Sequence, residues 1–178
     1  MQNKRAISVM IGYVLLISFG IILGALVYQG MKTYIPKDPL VCPDGVSVLI
    51  KDVSCTKDDF GHVSLDYKIK NNGRFNVSGY FIRVTNNSEQ EFATVDLSKY
   101  IWQNIGGIRL SNSVGFGSDV NYNLKPNSEI KTSFLWDLSE VGAIYSIEMT
   151  PTRFQKTEEA IEFVSCTNSK IKEEVTCV

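Results

Sequence analysis

The sequence contains a single histidine, His62, and no Cys-x-x-Cys pair. Tetrahedral zinc sites draw on closely spaced Cys and His ligands, so this poverty argues against one. A Gly-x-x-x-x-Gly-Lys-Ser/Thr loop, a Gly-x-Ser-x-Gly elbow and a His-Glu-x-x-His helix are also missing. Their absence removes three common signatures of phosphate binding, acyl transfer and metalloprotease chemistry. Basic excess is lacking too: 18 Lys and Arg stand against 19 Asp and Glu, a net charge of -1. Such a balance offers no global field to hold nucleic acid. Asp52, Asp58 and Asp59 form no ordered calcium loop and read as a solvated turn. His62, next to Gly61, reads as a turn histidine at a strand start rather than a catalytic base. The expectation is a protein that is not an enzyme and that needs no metal or cofactor.

The most informative absence is local. Charge is missing altogether from Ala6 to Tyr28, a window of 23 residues of which 18 are apolar. As a helix it spans roughly 35 Å, enough to cross a hydrocarbon core. Lys4 and Arg5 precede it, and Lys32 is the first charge after it. The basic pair at the short end favours an N-in, C-out orientation. A secretory signal peptide has a shorter apolar core and a small-x-small cleavage site; here the run is longer and no Ala-x-Ala follows. A plain signal anchor satisfies the same length. Gly20 and Gly24, with Ala25 beside them, form a Gly-x-x-x-Gly strip that lets a second helix approach closely. Glycine is also simply common in membrane helices. Pro36 and Pro39 end the helix and make residues 35–41 a stiff connector.

The stretch Lys4-Arg5-Ala6-Ile7-Ser8-Val9-Met10-Ile11-Gly12 resembles the class III signal of archaeal type IV pilin-like proteins. The resemblance implies cutting between Ala6 and Ile7 by a membrane prepilin peptidase. It implies a leader of residues 1–6 and a hydrophobic helix, residues 7–34, kept on the mature chain. Bacterial-style pilins carry Glu at the fifth mature position. Here that position is Ile11, which points to the archaeal variety. Further implied are self-assembly into a surface filament with helices packed at Gly20, Gly24 and Ala25, and three partners besides the chain itself. These are the peptidase, a polytopic membrane platform and a cytoplasmic assembly ATPase. The subunit would sit in the cell membrane before assembly and at the cell surface after it, serving adhesion first and motility second. The rival reading is a monomeric, signal-anchored extracellular binding module.

Residues 42–178 are numerous enough to bury a core. Pro43-Asp44-Gly45 is a turn signal, and after it the pattern becomes extended. Strands are expected at Val46–Val53, His62–Lys70, Val77–Val84, Ser128–Trp136, Ala143–Thr150 and Ala160–Cys166, with a short one at Glu91–Val95. Val63, Leu65, Tyr67 and Ile69 share one face, as do Ile130, Thr132, Phe134 and Trp136. Asn71-Asn72-Gly73 is another turn signal. Residues 96–127 read as a long connection with one or two short strands, and Lys170 to Glu174 as a solvated turn or edge. The fold class is α+β, mainly β: a long N-terminal helix followed by an antiparallel β-sandwich. The run Val63 to Val84 and the later Leu-x-Pro turn resemble adhesion-related immunoglobulin-like modules of archaeal cell surfaces.

All four cysteines, Cys42, Cys55, Cys166 and Cys177, follow the apolar window, and outside the cytoplasm they suggest two disulfides. A strand between Cys42 and Cys55 would hold them roughly 25 Å apart, whereas a disulfide needs Cα atoms within about 7 Å. Links from the first strand region to the C-terminal region then remain. In sandwiches of this kind the first and last strands lie side by side in parallel, so that their ends coincide. The expected pairing is Cys55 with Cys166 and Cys42 with Cys177. Asn76 and Asn86 head N-glycosylation sequons, no more than such a composition yields by chance. Trp136 is in phase with the core face, which leaves Trp102 as the candidate for a contact between subunits.

Overall fold

The computed structural model describes residues 3–34, 40–102, 106–117, 123–157 and 160–177. The chain divides into two units, Met1–Leu40 and Val41–Val178. Of the Pro-containing connector expected at 35–41, residues 35–39 lie outside the described ones. The first unit is a single helix, α1 (Asn3–Tyr34), of 32 residues. Its apolar side chains from Met10 to Met31 are exposed around the whole circumference, as expected of a helix made for lipid or for its own kind. The Ser18 hydroxyl donates to the Val14 carbonyl at 2.7 Å, so this polar group is satisfied within the helix. At the far end Lys32 lies 5.2 Å from the centre of the Tyr28 ring, an amphipathic pair suited to a membrane boundary.

Among its described residues the second unit has ten strands: β1 (Val48–Lys57), β2 (His62–Asn71), β3 (Gly79–Thr85), β4 (Val95–Asp96), β5 (Ile108–Leu110), β6 (Ser113–Gly115), β7 (Glu129–Asp137), β8 (Ser146–Lys156), β9 (Ile161–Ser165) and β10 (Ile171–Glu174). Every ladder between them is antiparallel. One sheet has the order β1-β2-β7, and the other β10-β8-β3-β6-β5, with β4 on β3 and β9 on β8. Assigning β1, β2, β3, β7, β8 and β10 the letters A, B, C, E, F and G gives A-B-E opposite G-F-C. That is the strand order of an immunoglobulin-type sandwich.

The alternation read from the sequence is the alternation found. Val63, Leu65, Tyr67 and Ile69 of β2 are fully buried, and so are Thr132, Phe134 and Trp136 of β7. Because β2 and β7 pair Leu65 with Phe134 and Tyr67 with Thr132, their inward faces coincide. The Tyr67 ring stacks on Phe134 with centroids 5.8 Å apart. Across the core, the hydroxyls of Tyr67 and Tyr80 meet at 3.4 Å, tying the two sheets together. Burial holds both phenols well above their ordinary titration range, so they stay neutral donors. The connection after Asp96 does carry two short strands, β5 and β6. Lys170 to Glu174 becomes an edge, with Ile171–Glu174 paired to β8.

The cysteine pairing corrects the expectation. Cys42 bonds Cys166 and Cys55 bonds Cys177, with Cα atoms 5.1 and 4.5 Å apart. The segment from Cys42 through β1 and the segment from Cys166 through β10 run in the same sense. The parallel course expected of the first and last strands is found, and it brings start to start and end to end; the crossed pairing expected from it would have needed antiparallel segments. β1 and β10 are the outer strands of opposite sheets, so the two bonds close the seam between the sheet edges. The Ser169 hydroxyl, donating to the Val46 carbonyl at 2.7 Å, fastens the same seam. In antibody-type domains the bond joins B to F inside the sandwich; here both bonds lie at the A–G side.

Candidate functional site

Among the described residues no group of three or more His, Cys, Asp and Glu side chains is placed to hold a metal ion. The acidic residues near the β1–β2 hairpin serve local structure. Asp52 pairs with Lys68 at 2.7 Å. Asp58 accepts backbone N–H bonds from Phe60 and His62 and meets the His62 ring at 2.9 Å. That contact raises the His62 pKa above its ordinary value and lowers that of Asp58. It also stiffens a tip on which Phe60 projects almost fully into solvent.

Three surfaces are available for recognition. The first is α1 itself. Lys4, Arg5, Ala6 and Ile7 lie in its first turns. A Cβ built at Gly20 or Gly24 would meet nothing within 4 Å, so the strip beside Ala25 is bare. Second comes an aromatic cluster on the outer face of the larger sheet. Phe163 stands edge-on to Phe81 at 6.0 Å and tilted on Phe154 at 5.4 Å. The third lies on the outer face of the β2–β7 pair, where Trp102 overhangs Ser64, Asp66 and Ser133.

The sequons differ in accessibility. Asn76 is exposed, but Ser78 of the same sequon is buried. Its hydroxyl donates to Asn123 and accepts from the Phe154 N–H. Asn86, Asn87 and Ser88 are all exposed in the turn after β3. The Asn86 amide nitrogen donates to the Val141 carbonyl at 3.3 Å, so each sequon has one engaged group, the serine hydroxyl in the first and the asparagine amide in the second. Trp136 is core, with its indole N–H directed at the Gly142 carbonyl at 3.4 Å, while Trp102 remains half-exposed.

Set beside protein-family profiles, curated proteins and solved structures, the chain matches none of them. Function must therefore be argued from the two units themselves. One is a helix whose stretch Met10–Lys32 is long and apolar enough to cross a membrane, a test that a signal sequence near an N-terminus also passes. The other is a β-domain with two disulfides, which fits an oxidising compartment outside the cytoplasm.

Proposed function

We propose that the chain is a pilin-like structural subunit of an archaeal type IV-type surface filament. Its N-terminal helix anchors it in the membrane before assembly and packs against the helices of other copies afterwards. The observation that carries this reading is α1: one unbroken helix of 32 residues that includes Lys4-Arg5-Ala6-Ile7 and continues into the apolar stretch Met10–Lys32. A cleavable secretory signal is removed with its apolar core; a class III signal is cut ahead of it. Exchanging lipid contacts for helix contacts gains little from hydrophobicity alone, so close approach at Gly20 and Gly24 supplies the packing. The disulfide-closed sandwich faces outward, where shear and proteases act on it, and serves surface attachment. The partners on this reading are other copies, a prepilin peptidase, a membrane platform and an assembly ATPase.

Mass spectrometry of the mature N-terminus tests the proposal. A chain beginning at Ile7 supports it. An intact Met1, or a cut after residue 25, refutes it and leaves the anchored binding module or a secreted domain.

A further inference from the structure

Trp102 is the one exposed tryptophan of the domain, and its backbone is pinned. Its N–H donates to the Ser133 carbonyl at 2.9 Å, and Ile101 bridges to Phe134. The indole is half-exposed, at 50%. It borders a depression of about 270 Å³ floored by Ser64, Asp66 and Ser133, and it also lines a second depression on the side of Lys99 and Tyr100. The depression is mainly apolar, with Phe134 and Leu135 also in its lining, and its few polar groups are specific. Ser133 donates its hydroxyl to Asp66 Oδ1, and Lys131 Nζ lies 3.6 Å from the same oxygen. Asp66 Oδ2 is left without a partner among the described residues, and the Ser64 hydroxyl is likewise uncommitted. Residues 64 and 66 point to the same side of β2, so their side chains stand about 7 Å apart by strand rise.

We propose that this shelf binds a neutral oligosaccharide. A pyranose has an apolar C–H face that lies flat on an indole and a rim of hydroxyls, of which non-adjacent ones can reach both Asp66 and Ser64. Asp66 Oδ2 accepts from one or two sugar hydroxyls as a charge-assisted acceptor, and Ser64 donates or accepts. The Asp66 carboxylate offsets the charge of Lys131, so the shelf has no net attraction for an anionic ligand. A second copy of the chain is the poorer occupant. An apolar contact over Trp102 would bury Asp66 and Ser64 without new partners, which is unfavourable. A sugar keeps those groups hydrogen-bonded and takes advantage of a preformed pocket with few ordered polar groups. The inference rests on the surface-attachment reading for its biological sense, while the binding itself does not depend on filament formation.

The test is a fluorescence titration of the full-length chain in detergent micelles. Chitohexaose, cellohexaose, laminarihexaose and mannohexaose serve as probes, with hexagalacturonate as the anionic control. The expected result is a saturable change in tryptophan emission with at least one neutral hexasaccharide and not with hexagalacturonate. Trp102→Ala abolishes it, Trp102→Phe retains weaker binding by a non-fluorescent readout such as calorimetry, and Asp66→Asn weakens it about tenfold. Urea midpoints within error of the parent show that the variants fold. No saturable change with any neutral probe, or an undiminished one in Trp102→Ala, overturns the proposal. So does a Trp102→Ala chain that loses self-association while the parent binds no sugar, since Trp102 is then a subunit contact. Sugar binding by a chain that keeps Met1 and forms no filaments upholds the shelf and refutes only the filament.

Discussion

Asn71 shows how much one buried polar side chain organises. It has no exposed surface, and its amide nitrogen donates to the Phe75 and Leu124 carbonyls, each at 2.8 Å. Its amide oxygen accepts the Gly73 N–H at 2.9 Å. Asn71→Ala leaves the Gly73 N–H and the Phe75 carbonyl without partners, while the Leu124 carbonyl keeps the Val77 N–H, and we expect a loss of about 3 kcal/mol in urea unfolding. A loss under about 1 kcal/mol would mean that water replaces the side chain. At the surface, His62 and Asp58 form a pH-dependent pair. The raised His62 pKa contributes stability that is complete below its unfolded value, near 6.5, and is lost as pH rises through the folded value. The lowered Asp58 pKa contributes above its unfolded value and is lost as pH falls through the folded one. The pair therefore contributes in full between the two unfolded values and is lost beyond the two folded ones. Proton NMR of His62 should show a midpoint above 6.5 that returns toward it in Asp58→Asn; an unchanged midpoint would contradict the contact.

At the scale of elements, α1 and the turns behave differently. The helix needs no tertiary support for its backbone bonds, and its function is decided by what its bare surface meets. Gly24→Leu fills the open strip without changing apolarity. On the filament reading, membrane insertion stays normal while filaments disappear from electron micrographs. Unchanged assembly would remove the strip from the mechanism. The turns depend on one another. Asn71-Asn72-Gly73 and Pro43-Asp44-Gly45 read as separate signals, yet they interlock. Arg74 N–H donates to the Gly45 carbonyl at 2.8 Å, and Asn72 N–H to the Ser47 carbonyl at 3.0 Å. A Cβ at Gly73 would fall 2.6 Å from the Gly45 oxygen. Turn propensity explains a glycine there; close backbone approach makes it necessary.

Across the whole molecule the two disulfides act as a unit. Each spans over 120 residues by itself, with separations of 124 and 122. Once one has formed, the second closes only a ring of about two dozen residues from the paired flanks. In the chain-entropy model the first contributes about 5 kcal/mol and the second about 3.5. Replacing either pair by serine is therefore expected to cost about 3.5 kcal/mol, and replacing both about 8. Urea denaturation of the two double-serine variants and of the all-serine chain checks this. If the two single removals already sum to the full loss, the bonds act independently and the shared seam is not the reason for their stability.

What the sequence by itself determined is local and periodic. An uncharged apolar window makes a helix because its backbone must be satisfied internally. The inward faces of β2 and β7 follow from side chains alternating across a pleat. The four cysteines indicated disulfides, and strand length disfavoured Cys42 with Cys55. What only the tertiary structure decided depends on the direction and adjacency of segments far apart in the chain. Cys42 meets Cys166, and Cys55 meets Cys177, because β1 and β10, whose parallel course was expected, are the outer strands that meet at one seam between the two sheets. Trp102 overhangs Asp66 because residues 101 and 102 lie along β7. Ser78 is hidden because β8 and Asn123 close over it. No sequence spacing encodes these meetings. They arise when two sheets are packed over one core, which burial of the alternating faces drives and the order of the strands arranges.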